Sequence, residues 1–252
     1  MTTRQSSNTR RRGRQVPQRS RRTFFVLAFL GLLVVMIIGS VALLGRNATD
    51  QRATAAAANA GQVAVTDRPV PPNAEPNGRA WGPKDAPIQV IEYADYECEA
   101  CGLFATSYEE EFVAAFAHTG KVRFEIRNAP FHGENARNAA EAAYCAIEQD
   151  TFWPMHDSLF LNQPIQEGAP AFSDAQLTAI AGKLGMDTAA FGQCMSSNTY
   201  AQQVEADYQA TVASNVNRTP TFVINGTAYP GVLSADDFRQ IFAQIAPNVP
   251  FN

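Results

Sequence analysis

Apolar positions change their spacing several times along the 252 residues. From Phe24 to Leu44 they run on without a charge, long enough to cross a bilayer as one helix over 24–45. Residues 46–76 show no apolar period and are rich in Ala, Asn, Thr and Pro, which reads as a flexible linker. From 77 onward the pattern becomes that of a folded domain. Arg79–Trp81 suggests a short strand, and Ile88–Ala94 a buried one. Helical spacing follows from the cysteines at 98 and 101 to about His118, where Gly120 closes the helix. Val122–Ile126 alternates apolar and charged residues and predicts a strand. From about 134 to 216 nearly everything reads as helix, punctuated by Pro154, Pro164, Pro170, Gly185 and Ser196–Asn198. Thr221–Ile224 and Thr227–Tyr229 flank Asn225-Gly226, a strong hairpin signal. A last helix is expected from Ser234 to Ala246, with Ser234 as its N-cap.

Charge divides this chain unevenly. Residues 1–23 carry eight arginines and no acid, whereas residues 82–252 hold eight Lys/Arg against 21 Asp/Glu. Arginines on one flank of an apolar run place that flank in the cytoplasm. We therefore expect a cytoplasmic tail at 1–23, an uncleaved signal anchor at 24–45 and a single-pass protein whose domain at 77–252 lies outside the cytoplasm. A cleaved signal peptide is the alternative, but the apolar run is long for one. The acidic domain argues against nucleic acid as a partner.

Cys98-Glu99-Ala100-Cys101 sits where a strand ends and a helix begins. A thiol there meets unpaired N–H groups and the positive end of the helix dipole, and both favour the reactive thiolate. Two cysteines at this spacing can also close a disulfide. A redox centre is the leading reading; half of a zinc site and an inert disulfide are the alternatives. The chain has no second such pair and no histidine-rich tract, which counts against a closed zinc site. No metal or cofactor is expected. A binding or metal-carrying module without catalysis remains the competing function.

Strand, helix and strand, then a helical block, then a hairpin and helix, make an α/β order with an insertion. Three stretches carry a closer likeness: Glu92-Tyr93-Ala94-Asp95-Tyr96-Glu97-Cys98-Glu99-Ala100-Cys101, then Phe152-Trp153-Pro154-Met155-His156-Asp157-Ser158-Leu159-Phe160, then Arg218-Thr219-Pro220-Thr221-Phe222-Val223-Ile224-Asn225-Gly226. Together they resemble the DsbA family of thiol–disulfide oxidoreductases, which have a thioredoxin fold with an inserted helical domain. The resemblance implies that Glu92 is a buried acid beneath the redox pair, able to exchange protons with Cys101. From the residues alone, Glu92 could equally be a strand-edge carboxylate facing water. The resemblance also implies a cis Pro220, with the Thr219 backbone free to pair with an extended substrate. Without it, Pro220 reads as a turn proline.

Cys98 at the helix edge is the expected attacking thiol, and Cys101 resolves the mixed disulfide. Cys145 and Cys194, in the helical block, are expected to pair outside the cytoplasm. His156 reads as a packing residue, His118 as a helix-end residue, and His132 as a residue with no carboxylate at ligand spacing. Asp95, Glu97 and Glu99 are expected to oppose the Cys98 thiolate, with no histidine to assist it. That would make a weaker oxidant than the family's strongest members, which carry Pro-His between the cysteines. The expected partners are reduced or unfolded exported proteins, a membrane redox partner that recharges the cysteine pair, and the bilayer through 24–45.

The topology has a direct test. Protease added to intact spheroplasts should digest the domain, and protection until lysis would overturn the orientation.

Overall fold

In this computed structural model, residues 63–164, 171–249 and 251 are described. The tail at 1–23, the membrane segment at 24–45 and the first part of the linker lie outside them. Among the described residues no helix is long and apolar enough to cross a membrane.

Five strands form one mixed sheet: β1 (Ala80–Trp81), β2 (Ile88–Ala94), β3 (Val122–Asn128), β4 (Thr221–Ile224) and β5 (Thr227–Pro230). Their order is β1-β3-β2-β4-β5. β2 and β3 run parallel and the other pairs antiparallel, with Glu92 opposite Ile126 on one side and Phe222 on the other. Period-two alternation gives each strand two distinct faces. On one face, Phe124 of β3 and Phe222 of β4 meet an aromatic cluster from α1 (Glu99–Ser107), α2 (Glu109–Phe116) and α8 (Ala235–Ile245). Phe112 and Phe238 stand 4.3 Å apart at its centre. On the other face Tyr93 packs with Ile91, Val223 and Val216, and its hydroxyl lies 3.0 Å from Ser214 Oγ.

The helix expected to run from the cysteines to His118 is broken. Tyr108 leaves helical geometry (φ −124°), so α1 and α2 are separate helices, followed by a 3-10 turn at Ala117–Thr119. The break places Glu109 at the start of α2, buried against the inserted block. In that block the described residues form α3 (Glu134–Ile147), α4 (Phe152–Leu161), α5 (Asp174–Lys183), α6 (Thr188–Ser196) and α7 (Ala201–Ala213). Pro154, read as punctuation, instead lies in the first turn of α4. The first N–H groups of a helix have no intrahelical partner, so a proline there removes nothing. Real stops and starts come from Asp187 and Ser173, whose side chains cap α6 and α5, and from Gly185 at φ 77°. Asn225 (φ 47°) and Gly226 (φ 86°) make the tight β4–β5 turn. Ser234 and Asp237 form a reciprocal cap on α8.

One tie fastens the helical block internally and another holds it to the sheet. Cys145 of α3 is joined to Cys194 of α6, with Cα atoms 5.9 Å apart and a sequence separation of 49. Closing a loop of that size restrains the unfolded chain by up to ~4 kcal/mol in the chain-entropy account. Asp207 of α7 accepts hydrogen bonds from Tyr144 (2.6 Å), from Arg79 (2.5 Å) and from the Asn128 backbone (3.1 Å). It thus links α7, α3 and β3.

The linker expectation, 46–76, is corrected over its second half, and the folded unit begins before 77. Val63 is 3% exposed and joins the main core. Thr66 N donates to Ser158 Oγ at 3.2 Å, and Lys183 Nζ to the Val63 carbonyl at 2.5 Å. Arg68 then reaches inward. Its guanidinium binds Asp157 through two nitrogens, the Ala105 carbonyl at 3.0 Å and Glu109 at 3.4 Å. Low apolar periodicity hid this strap, because beyond Val63 it is attached mainly by hydrogen bonds and by one cation on two buried acids rather than by an apolar face.

Removing that cation leaves two buried carboxylates without it. Arg68→Met should therefore lower stability by about 2–4 kcal/mol, somewhat less than a fully buried pair because Arg68 is partly exposed. Urea denaturation midpoints check this, and a loss under about 0.5 kcal/mol would class the contact as an ordinary surface bridge.

Candidate active site

β2 ends at Ala94, and Asp95–Glu97 turn the chain into α1 with Cys98 as its N-cap (φ −76°, ψ 116°). Both cysteines are free thiols here. Cys98 is 9% exposed and Cys101, one turn inside, is 0% exposed. The helix start therefore leaves Cys98 slightly exposed and hides Cys101 completely. The Thr219–Pro220 peptide bond is cis, and the Cys98 thiol donates to the Thr219 carbonyl at 3.3 Å. The proline loop before β4 thus lies directly against the outer sulfur.

The two thiols differ sharply in acidity. Cys98 is lowered from 9.0 to about 6, chiefly by a hydrogen bond from the Cys101 thiol. Burial opposes this, while the Thr219 side chain and the N–H groups of Cys101 and Ala100 assist. Cys101 is pushed well above its usual value, first by burial and then by Cys98 itself. The acids expected to crowd Cys98 act less than that. Asp95 is buried and its carboxylate is already engaged, accepting from Glu97 N at 2.8 Å and from His132. Burial, not these acids, is the main force against the thiolate.

Glu92 lies on the core face of β2 and is 1% exposed. Its Oε2 has no hydrogen-bond partner. Burial, then Glu109, then Cys98 raise it well above an ordinary carboxylate, which favours its neutral form.

Residues that the sequence did not single out complete the site. Gln163, just beyond α4, donates to the Tyr96 carbonyl at 2.8 Å and the Cys98 carbonyl at 3.0 Å. The inserted block thereby grips the cysteine loop. Gly102 makes room for this grip: a Cβ on it would stand 2.0 Å from Gln163 Oε1. His156 is a buried packing residue, as expected, but it also faces the Tyr96 hydroxyl at 3.1 Å and Glu109 at 3.7 Å. His132 is a correction. It does have a carboxylate partner, Asp95 Oδ2, 2.8 Å from its Nδ1. Their sequence separation of 37 hid the pair, because the contact depends on β2 and β3 lying side by side. Among the described residues one group of metal-capable side chains is found, Glu109, His156 and Asp157. It excludes both free cysteines, and Arg68 already contacts its two acids.

A paired dithiol at a helix N-cap, a cis-proline loop against it and a buried acid behind it, on this sheet, define a DsbA-like thiol–disulfide oxidoreductase. Comparison with known proteins agrees. A family profile described as thioredoxin matches residues 74–243, and the chain belongs to that family. Disulfide bond formation protein D of Bacillus subtilis is 29% identical over 163 residues, covering 63% of this chain and 72% of that protein. The structure of oxidised BdbD from Bacillus subtilis matches with a TM-score of 0.61 at 26% identity, over 71% of this chain and 98% of the other. A protein named Na(+)/H(+) antiporter NhaA 3, from Salinispora tropica, is 36% identical over 152 residues. The match covers 60% of this chain but 22% of that protein, so the likeness is to one segment of it.

The acidity difference is measurable. Thiolate absorbance of the dithiol form should rise by one equivalent around pH 6, with the second thiol ionising only above 9. Cys98 has a depressed value, so the stability it adds to the folded dithiol is lost as pH falls through about 6 and is complete above 9. Cys101→Ala removes the main stabilising bond and should move Cys98 upward by more than one unit; an unchanged value would show that the helix end alone sets it.

Proposed function

We propose that the chain is an extracytoplasmic thiol–disulfide oxidoreductase, held at the membrane through 24–45, that forms or exchanges disulfides in exported proteins. The observation that carries this reading is the disposition of the two sulfurs. One is acidic and slightly exposed beside the Thr219–Pro220 loop, and its partner is fully buried one helical turn away.

In the oxidising direction, a substrate thiolate attacks Cys98 of the disulfide form. The Cys98–Cys101 bond breaks, and Cys101 leaves with the electron pair into a buried site that disfavours its charge. Glu92, a neutral acid in the same interior, supplies the proton that Cys101 needs. A second substrate thiolate then attacks the substrate sulfur of the mixed disulfide, and Cys98 leaves as a thiolate. Two substrate thiols become one disulfide, and the protein is left as the dithiol. A membrane redox partner then removes those two electrons. In the reducing direction Cys98 attacks a substrate disulfide and Cys101 resolves. The backbone of Thr219, in the cis-proline loop beside Cys98 and ahead of β4, is the segment with which an extended substrate can pair. The likeness to disulfide bond formation protein D supports the oxidising direction.

A variant that can start but not finish the exchange tests the roles. Cys101→Ala should accumulate substrates as mixed disulfides on Cys98, seen as reductant-sensitive adducts on non-reducing gels. Cys98→Ala should accumulate none. The reverse pattern would exchange the two roles, and adducts in neither would overturn the oxidoreductase reading.

A further inference from the structure

Thiol–disulfide exchange needs the backbone around Cys98 to stay still while its sulfur changes partners. In each step one S–S bond forms at Cys98 as another breaks there, and the leaving sulfur carries away the electron pair. The attacking and leaving sulfurs lie on opposite sides of the Cys98 sulfur, so a small displacement of that atom slows the step. Yet the Cys98 side chain makes no capping bond of its own at the start of α1. Its placement is left to the turn that precedes it.

That turn is held from two sides. On one side stands Asp95, which accepts from Glu97 N through Oδ1 at 2.8 Å and from Cys98 N through its carbonyl at 3.0 Å. Its own N–H lies 3.5 Å from Cys101 Sγ. On the other side stands Gln163, half-buried just beyond α4. Its Nε2 donates to the Tyr96 carbonyl at 2.8 Å and to the Cys98 carbonyl at 3.0 Å, which uses both N–H groups of the amide. The Cys98 carbonyl also accepts from Gly102 N at 3.0 Å, the first bond of the redox helix. One amide from the inserted block thus closes on the residue where exchange takes place.

The glycine at 102 points the same way. It lies in α1 and outside the left-handed region, so its backbone does not call for glycine. What calls for it is space. A Cβ there would stand 2.0 Å from Gln163 Oε1 and 2.8 Å from its Cδ. Those atoms end a flexible side chain, so a larger residue at 102 is accommodated by expelling the amide and leaving α1 intact. Alanine is the better helix former, and the helix forgoes it.

We propose that Gln163 is a positioning residue of the exchange reaction, fixing from the inserted block the turn that aims the Cys98 sulfur, with Gly102 as the clearance it requires. The inference rests on the oxidoreductase reading and gives the inserted block a part in it. When the turn loosens, the Cys98 sulfur draws away from the N–H groups of Ala100 and Cys101 that assist its thiolate, and the three exchanging sulfurs lose their alignment.

Gly102→Ala and Gln163→Met break this contact from opposite sides, and both are made in the full-length protein in detergent. One readout is the rate of Cys98 alkylation by iodoacetamide in the dithiol form, followed against pH. The other is single-turnover oxidation of a reduced dithiol peptide by the disulfide form. Each variant should move the alkylation midpoint upward from about 6, by about half a unit or more. Each should slow peptide oxidation on the order of tenfold. Gly102→Ala should do so with an unchanged or higher thermal midpoint, which sets the effect apart from lost stability. The double variant should be no slower than the slower single one, because the contact can be lost only once. Wild-type behaviour of either single variant in either readout, or single effects that multiply in the double variant, would overturn the inference. If Gly102→Ala does not fold, Gln163→Met decides alone. Alkylation needs no exchange, so it reports on Gln163 independently of the parent reading. A wild-type disulfide form that oxidises no peptide would overturn the oxidoreductase reading instead.

Discussion

The redox end of this molecule depends on the contrast in solvation between two sulfurs one helical turn apart. Cys98 sits at the N-cap of α1 and borrows the unpaired backbone donors there, while Cys101 faces the core. Charge on the outer sulfur is cheap and charge on the inner one is expensive. Each thiol reinforces the other's bias, because the Cys101 S–H donates to the Cys98 thiolate. Nearly every neighbouring feature serves to hold that turn still. Asp95 ties the loop to both cysteines, Gln163 grips it from the inserted block, and Gly102 leaves the space for that grip.

The inserted block matters to the site more than its place in the sequence suggests. It is fastened to the sheet through Asp207, Tyr144 and Arg79, and internally by the Cys145–Cys194 bond. Gln163 and Tyr96–His156 then carry that rigidity to the cysteine loop. A second set of buried acids, Glu109 and Asp157, lies between block and sheet, and the strap from Val63 to Arg68 brings their cation. Glu109 also bears on Glu92, so the strap and that buried acid share one electrostatic neighbourhood.

Much of this was readable in the chain. The strand, the cysteine pair and the helix follow from periodicity. The Asn-Gly turn and the Ser234 cap follow from local backbone preference. Those signals survive because they act within a few residues. The break at Tyr108, the placement of Pro154 inside α4, the ordered strap and the Asp95–His132 pair were not readable. Each is decided by partners tens of residues away. Tyr108 carries no breaker signal, and Arg68 looks like any linker arginine until Glu109 and Asp157 are folded beneath it.

The sequence by itself therefore determined the order of elements, the family likeness and the place of the cysteine pair at a strand–helix junction, because spacing along one chain is enough for those. Tertiary structure alone decided which charges are buried, which are paired and how strongly each thiol holds its proton. Desolvation and Coulomb interactions depend on distances through space and on exclusion of water. Neither quantity exists until β2, β3, the proline loop and the inserted block have closed around Cys98 and Cys101.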